Sequence, residues 1–317
     1  MRKTLLLVAL ACLGISSAKS ETIELIDFGD FEQWVTRNVK ESSVIGGNEK
    51  QVYEIAPTKT LNGEAPYTNM GGSPWATSNV LAKVASVTKT SNQVYPDKHG
   101  NGKCAKLMTK FEHVKALNVL TMDVLASGTI YLGEMLEPVK GTKNPYRMMN
   151  IGIPFTKRPV ALQFEYKLSI PKGQRIYSSG FGSKKELPGQ DYAEVFILLQ
   201  RRWEDPSGRI HAARVGTGRE RYGKSISEWT THRIPVWYGD ITSHEGYEEY
   251  MGLLDRENPY YAKNSKGKMV PVIEELWDDP NATPTHIIVM LSSACGKPYT
   301  GTPDMTFWVD NVSLVYE

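Results

Sequence analysis

Cysteine is scarce: three in 317 residues, too few for a scaffold held by disulfides. One, Cys12, lies in an apolar leader, which leaves Cys104 and Cys295. Export permits a disulfide between them, with two buried free thiols as the alternative, and two thiolates alone fall short of a metal site. Net charge is missing too. Without Arg2 and Lys3 of the leader, Lys and Arg fall from 37 to 35, against 35 Asp and Glu. A neutral chain has no electrostatic pull towards nucleic acid or an anionic membrane. Beyond the leader there is no apolar run long enough to span a bilayer, no internal repeat and no low-complexity linker.

Enzyme signatures are equally sparse. Gly216-Thr-Gly218 lacks a third Gly and a following apolar helix, which a nucleotide loop requires. His244-Glu-Gly-Tyr-Glu248 ends in the wrong residue for a zinc-protease helix, and the six His show no ligand spacing. A glycosidase needs two carboxyls about 5–10 Å apart across a cleft. Glu134, Glu137, Asp191 and Glu194 are acids of the right type, but sequence does not pair them. A non-catalytic protein is the expectation.

What is present begins with the leader. Arg2 and Lys3, the apolar stretch from Thr4 to Ile15 and the small Ser16-Ser-Ala18 read as an export signal over 1–18. Ala9-Leu-Ala-Cys12 is a competing lipid-anchoring reading. Either way the protein is expected in the periplasm, at the cell surface or outside the cell, as a single domain over 19–317.

The mature chain is dominated by alternation. Val160, Leu162, Phe164, Tyr166 and Leu168 share one face of an extended segment, and Phe307, Val309, Val312, Leu314 and Tyr316 nearly do. The slip between Val309 and Val312 predicts a bulge near Asp310. Further strands are expected over 104–111, 126–133, 191–203, 210–215, 229–237 and 287–291, with a turn at Asp205-Pro-Ser-Gly208. Long loops are expected at 58–79, 134–152 and 238–285, and helix only over 245–254 and 272–277. The pattern predicts an all-β jelly-roll sandwich of two antiparallel sheets with one or two short helices.

The chain also resembles a known family on specific residues. These are Ser73-Pro-Trp-Ala-Thr-Ser-Asn79, Tyr95-Pro96, Cys104-Ala-Lys-Leu107, Ala126-Ser-Gly-Thr129, Leu132-Gly133 and Asn144-Pro145, followed by Gly152-Ile-Pro-Phe-Thr-Lys-Arg-Pro159 and Phe164-Glu-Tyr-Lys167. In this order, from about 70 to 205, they resemble the "putative carbohydrate metabolism domain" of exported Bacteroidetes proteins. The 152–159 block is the most specific. The resemblance implies a jelly roll similar to carbohydrate-binding modules and brings no catalytic residues.

Sugar recognition needs an aromatic face and planar polar groups. Trp75, in a polar loop beside Asn79, is a candidate groove ring; the alternative is a plug holding the loop to the sandwich. Arg202 and Trp203, at the end of the apolar 191–203 strand, are candidate ligand contacts, or an ordinary strand end with a paired Arg. Arg158 either touches ligand or holds a turn by its carbonyls. Asp30, Glu32 and Asp310 resemble the acids that hold a structural calcium where first and last strands meet in many jelly-roll modules; solvated acids and a bulge are the alternative. The expected function is non-catalytic glycan binding in polysaccharide capture or utilisation. An adhesin-like or structural accessory role beside other envelope proteins, or a glycoside hydrolase, are the alternatives.

Overall fold

The computed structural model describes residues 20–317 apart from 70–71, 85, 117–119, 141–143 and 181–183. The expected export signal over 1–18, with Cys12, falls outside the described residues. Among the described residues no helix is long and apolar enough to cross a membrane.

Period-two alternation builds the first sheet. On Ala161–Ser169, Leu162, Phe164, Tyr166 and Leu168 are buried, and the residues between them are half-exposed. The strand lies between Ile226–Pro235 and the long C-terminal Thr306–Tyr316, followed by Gly102–Met108 and Val94–His99. Thr22–Leu25 runs antiparallel to the C-terminal half of Thr306–Tyr316, so the first and last strands lie side by side. The expected bulge is there. The register slips between Gln163 and Glu165 opposite Asp310 and Ser313, and Asn311 absorbs the extra residue at φ 52°.

The second sheet has ten strands, centred on His286–Ser292, Ala193–Glu204 and Ile210–Tyr222. Val195, Ile197, Leu199, Val289 and Leu291 meet Phe164, Leu168, Phe307 and Val309 of the first sheet in the main core. Phe196, Leu198, Ile288 and Met290 point the other way, into a second cluster with Met149, Ile151 and Tyr260. Burial on both faces explains why this strand reads as a continuous apolar run rather than an alternation. The molecule is an all-β sandwich with extra layers. Among the described strands, pairing is antiparallel apart from Ile210–Tyr222 with Met269–Trp277, Met149–Ile151 with Tyr261–Lys263, and Trp34–Lys40 with Lys59–Asn62; Ala82 and Val139 add an isolated parallel bridge.

Helix is rarer than expected. The 245–254 segment contributes only the 3-10 turn Glu249–Met251, beside two others at Ser43–Ile45 and Pro145–Met148. The 272–277 segment is strand, within Met269–Trp277. Burial of Val270, Val272 and Glu274 in turn follows a period of two. The expected loops also carry strands, Lys59–Asn62 and Trp75–Thr77 among them. Cys104 and Cys295 are free thiols.

Beside the main core, buried Arg37 bonds Glu54 at 2.9 Å and Glu137 at 2.6 Å. Two carboxylates share one guanidinium. Burial, opposed by Arg37 and reinforced by Glu137, pushes the Glu54 carboxyl up to about 8. The native state therefore holds a proton that the unfolded chain releases near 4.5. Stability should fall as pH rises between those values, by at most roughly 1.4 kcal/mol per pH unit. Glu54→Gln should flatten urea midpoints measured from pH 5 to 8; an unchanged slope would exclude Glu54 as the source.

Candidate functional site

The outer face of the first sheet gathers what its core face excludes. Phe307 and Val309 point inwards, so Trp308 and Asp310 point outwards; Phe164 and Tyr166 inwards send Glu165 and Lys167 outwards. Register then sets rows across the strands. Lys167 opposes Trp308, Trp308 opposes Lys106, and Lys106 opposes Tyr95. One step along, Thr231 opposes Glu165, and Glu165 opposes Asp310.

Two indoles frame this face. The Lys167 ammonium lies 5.1 Å from the ring centres of both Trp229 and Trp308, a cation–π bridge. Trp308 Nε1 donates to Asp97 Oδ2 at 2.9 Å, and the His99 ring stacks on Trp229 at 3.8 Å. That last contact reveals shape. His99 and Trp229 come from the two edges of a five-strand path, whose outer strands in a flat sheet would stand about 19 Å apart. Their stacking requires the sheet to roll or its hairpin tip to lean over, and the face becomes a trough.

Carboxylates line the trough. His99 Nδ1 makes a short hydrogen bond to Asp310 Oδ2, and His99 Nε2 lies 3.8 Å from Glu165 Oε2. Asn311 donates through Nδ2 to Glu165 at 3.2 Å and through its amide to Asp310 at 2.8 Å. Burial raises the Asp310 pKa, with the bond from His99 opposing it. Asp97 is also pushed up by burial, yet the Trp308 indole, the Lys98 amide and Lys106 hold it below its ordinary value. Burial, together with the charges of Asp310 and Asp97, pushes the Cys104 thiol up to about 12, which removes it as a thiolate nucleophile.

The residues singled out from sequence lie elsewhere, apart from Asp310. Trp75 is 3% exposed, its indole donating to Asp27 O at 3.0 Å and its ring edge-on to Phe31. It packs in the core, because the polar loop around it folds inwards as Trp75–Thr77 against Thr129–Met135. Asn79 is buried and fully used by the backbone of Tyr53, Gln93 and Val94. Arg202 donates to Ile151 O at 3.0 Å and to Gln200, and burial lowers its pKa to about 10. Only Trp203 shows its ring, 40% exposed and stacked on His211.

Arg158 holds the carbonyls of Pro280 and Ala282 and covers the Tyr238 ring at 4.0 Å. The rest of its sequence block is likewise a clamp. Ile153–Pro154 pairs with His286–Ser292, and a Cβ on Gly152 (φ +90°) would sit 2.6 Å from Arg202 Nη2. Asp30, Glu32 and Asp310 do not converge. Glu32 accepts the Lys103 amide and Asp30 the Glu32 amide, while Asp310 groups with His99 and Glu165 within 4.8 Å. Calcium favours six to eight oxygens, and the expected acids do not supply that shell together.

Sequence reasoning passed over Trp229, Trp308, Lys167, Glu165 and His99 as site residues. The alternation around Phe164 and Phe307 already turned four of their neighbours inwards. What it left open was which outward residues are lateral neighbours.

No curated protein gives a significant match. Among solved structures, the chain is similar to a protein from Bacteroides thetaiotaomicron described as a "putative glycoside hydrolase", at 16% identity over 86% of this chain and 81% of that one, with a TM-score of 0.44. A Bacteroides vulgatus protein of the same description is 13% identical over 92% of this chain and 94% of that one, with a TM-score of 0.43. The profile of one family covers residues 30–255, taking in His99, Glu165, Lys167 and Trp229. With more than half its length so matched, the chain belongs to the family described as "Putative carbohydrate metabolism domain".

Proposed function

We propose that the protein is an exported, non-catalytic glycan-binding protein, and that the trough of the first sheet is its site in polysaccharide capture or utilisation. The observation that carries this reading is the pair of half-buried indoles, Trp229 and Trp308, bridged by Lys167 beside Glu165 and Asp310. A pyranose presents a C–H face to an aromatic ring and a rim of hydroxyls to planar polar groups. Rings and charged groups alternate here at the spacing of adjacent strands, close to the width of one sugar.

The test is retention of polysaccharides in affinity gels and by calorimetry, using the mature protein and Trp229→Ala/Trp308→Ala. Binding should weaken by at least about tenfold, or 1.4 kcal/mol, with the melting temperature within a few degrees, since neither ring lies in the main core. Equal retention by the variant, or none by the parent across diverse polysaccharides, would remove the trough as a glycan site.

One observation favours a second reading, glycoside hydrolysis. An oxygen of Glu165 and one of Asp310 lie within 4.8 Å, near the about 5–5.5 Å of retaining enzymes, and burial raises Asp310. If the trough hydrolyses glycans, the parent should release reducing ends and Glu165→Gln should not. On the binding reading neither releases any, and the variant still retains sugar.

A further inference from the structure

A cavity of about 510 Å³ lies on the other side of the molecule, beyond the second sheet. It takes no part in the trough, and its chemistry is different. Val80, Leu125, Met135, Val139, Met148 and Met149 are among the apolar residues of its wall. A polysaccharide carries a hydroxyl on nearly every carbon, and against such a wall most would lose water without gaining a partner. The size suits a small ligand, in the usual range of about 300–1,000 Å³.

Polar side chains line it in more than one place, Lys89, Gln93 and Glu112 as one group and Glu194 and Arg219, beside two tyrosines, as another. Tyr146 and Tyr260 meet edge to face at 5.4 Å, and Tyr260 stacks along Phe196 at 6.2 Å. Both tyrosines line the cavity, and among the described residues neither hydroxyl is seen in a hydrogen bond. Tyr260 is only 8% exposed as a residue and lines the cavity, so an acceptor for its hydroxyl would have to come from within that cavity. Burial pushes the Tyr146 phenol up to about 12 and Tyr260 higher still, so both remain donors at neutral pH. Behind them Glu194 is shared by Arg219 at 3.0 Å and Arg221 at 2.8 Å. Two guanidiniums against one carboxylate leave one positive charge in excess.

We propose that this cavity is a second binding site, for an amphipathic small molecule with an apolar body and a carboxylate head. The apolar body lies along the methionine and valine wall. The carboxylate accepts from the Tyr146 and Tyr260 hydroxyls and answers the excess charge of the Arg219–Glu194–Arg221 group. Arg219 and Glu194 line the cavity themselves, so the head needs no rearrangement of the strands that carry them. This inference stands apart from glycan binding and survives if the trough binds nothing.

The experiment uses the mature chain with 1-anilinonaphthalene-8-sulfonate as reporter, displaced in turn by decanoate, decanol and a soluble oligosaccharide. Decanoate should displace the dye and decanol about tenfold more weakly, because only the carboxylate gains the charged hydrogen bonds; the oligosaccharide should not displace it. Tyr260→Phe keeps the ring packing and removes one donor, so it should weaken decanoate by about fivefold to tenfold and leave decanol and the melting temperature unchanged. Equal affinity for decanoate and decanol, displacement by the oligosaccharide, or full decanoate affinity in Tyr260→Phe would each overturn the proposal.

Discussion

Trp75→Ala is expected to cost about 3–5 kcal/mol of folding stability, the range for emptying a core Trp site. The ring sits in the main core with Ile26, Phe31 and Trp34 and is 3% exposed. Its indole also satisfies the Asp27 carbonyl at 3.0 Å, which the variant would leave without that donor. Guanidinium denaturation followed by circular dichroism measures the loss. Trp75→Phe should fall between the parent and the alanine variant, since it keeps the edge contact with Phe31 and loses the hydrogen bond. A loss below about 1 kcal/mol in Trp75→Ala, the size expected of an exposed loop position, would show that the ring contributes little to the core.

Glu274→Ala should be comparably severe. Arg214 and Glu274 have fully buried side chains and meet at 2.5 Å. Gln200 donates to Glu274 Oε1 at 2.5 Å and the Leu254 amide to Oε2 at 2.7 Å. The pair spans the parallel joint between Ile210–Tyr222 and Met269–Trp277, so it ties the 238–285 excursion to the second sheet. Removing the acid strands a buried guanidinium, at a cost of about 3–5 kcal/mol. Arg214→Met/Glu274→Leu removes both charges and should recover most of the loss, because desolvation offsets much of what the pair gains. If the double variant is as unstable as Glu274→Ala, shape rather than charge governs this joint. The carboxyl is also held low: burial opposes this, but Arg214 prevails. A lowered native pKa adds stability above the unfolded value of 4.5 and loses it as pH falls below, so the parent and Glu274→Ala should differ least in acid.

The clamp built by Gly152 to Pro159 shows how far a sequence resemblance reaches. Its residues are the most specific in the chain, yet they hold strands and loops together through Arg158, Phe155 and Ile153. From its place between Lys157 and Pro159, Arg158 could be read equally as a ligand contact or a turn holder, and only the structure shows it on the carbonyls of Pro280 and Ala282. Trp75 misled because a polar neighbourhood in sequence says nothing about which way a ring turns once the loop becomes a strand.

Local physics determined much of this protein in advance. A period of two reports which side chains share a face wherever one face is buried, so the sandwich, the strands at Ala161–Ser169 and Thr306–Tyr316 and the bulge at Asp310 were readable from residue order. Over 193–200 burial on both faces erases the alternation, and there a continuous apolar run marked the strand instead; at 272–277 the strand was mistaken for helix. Only the tertiary structure decided which outward residues meet. His99 reaches Asp310 across 211 residues of chain, and it stacks on Trp229 from the opposite edge of the sheet. Those neighbours follow from the order and register of strands, set by backbone pairing and core packing over the whole molecule, and no periodicity within one strand encodes them.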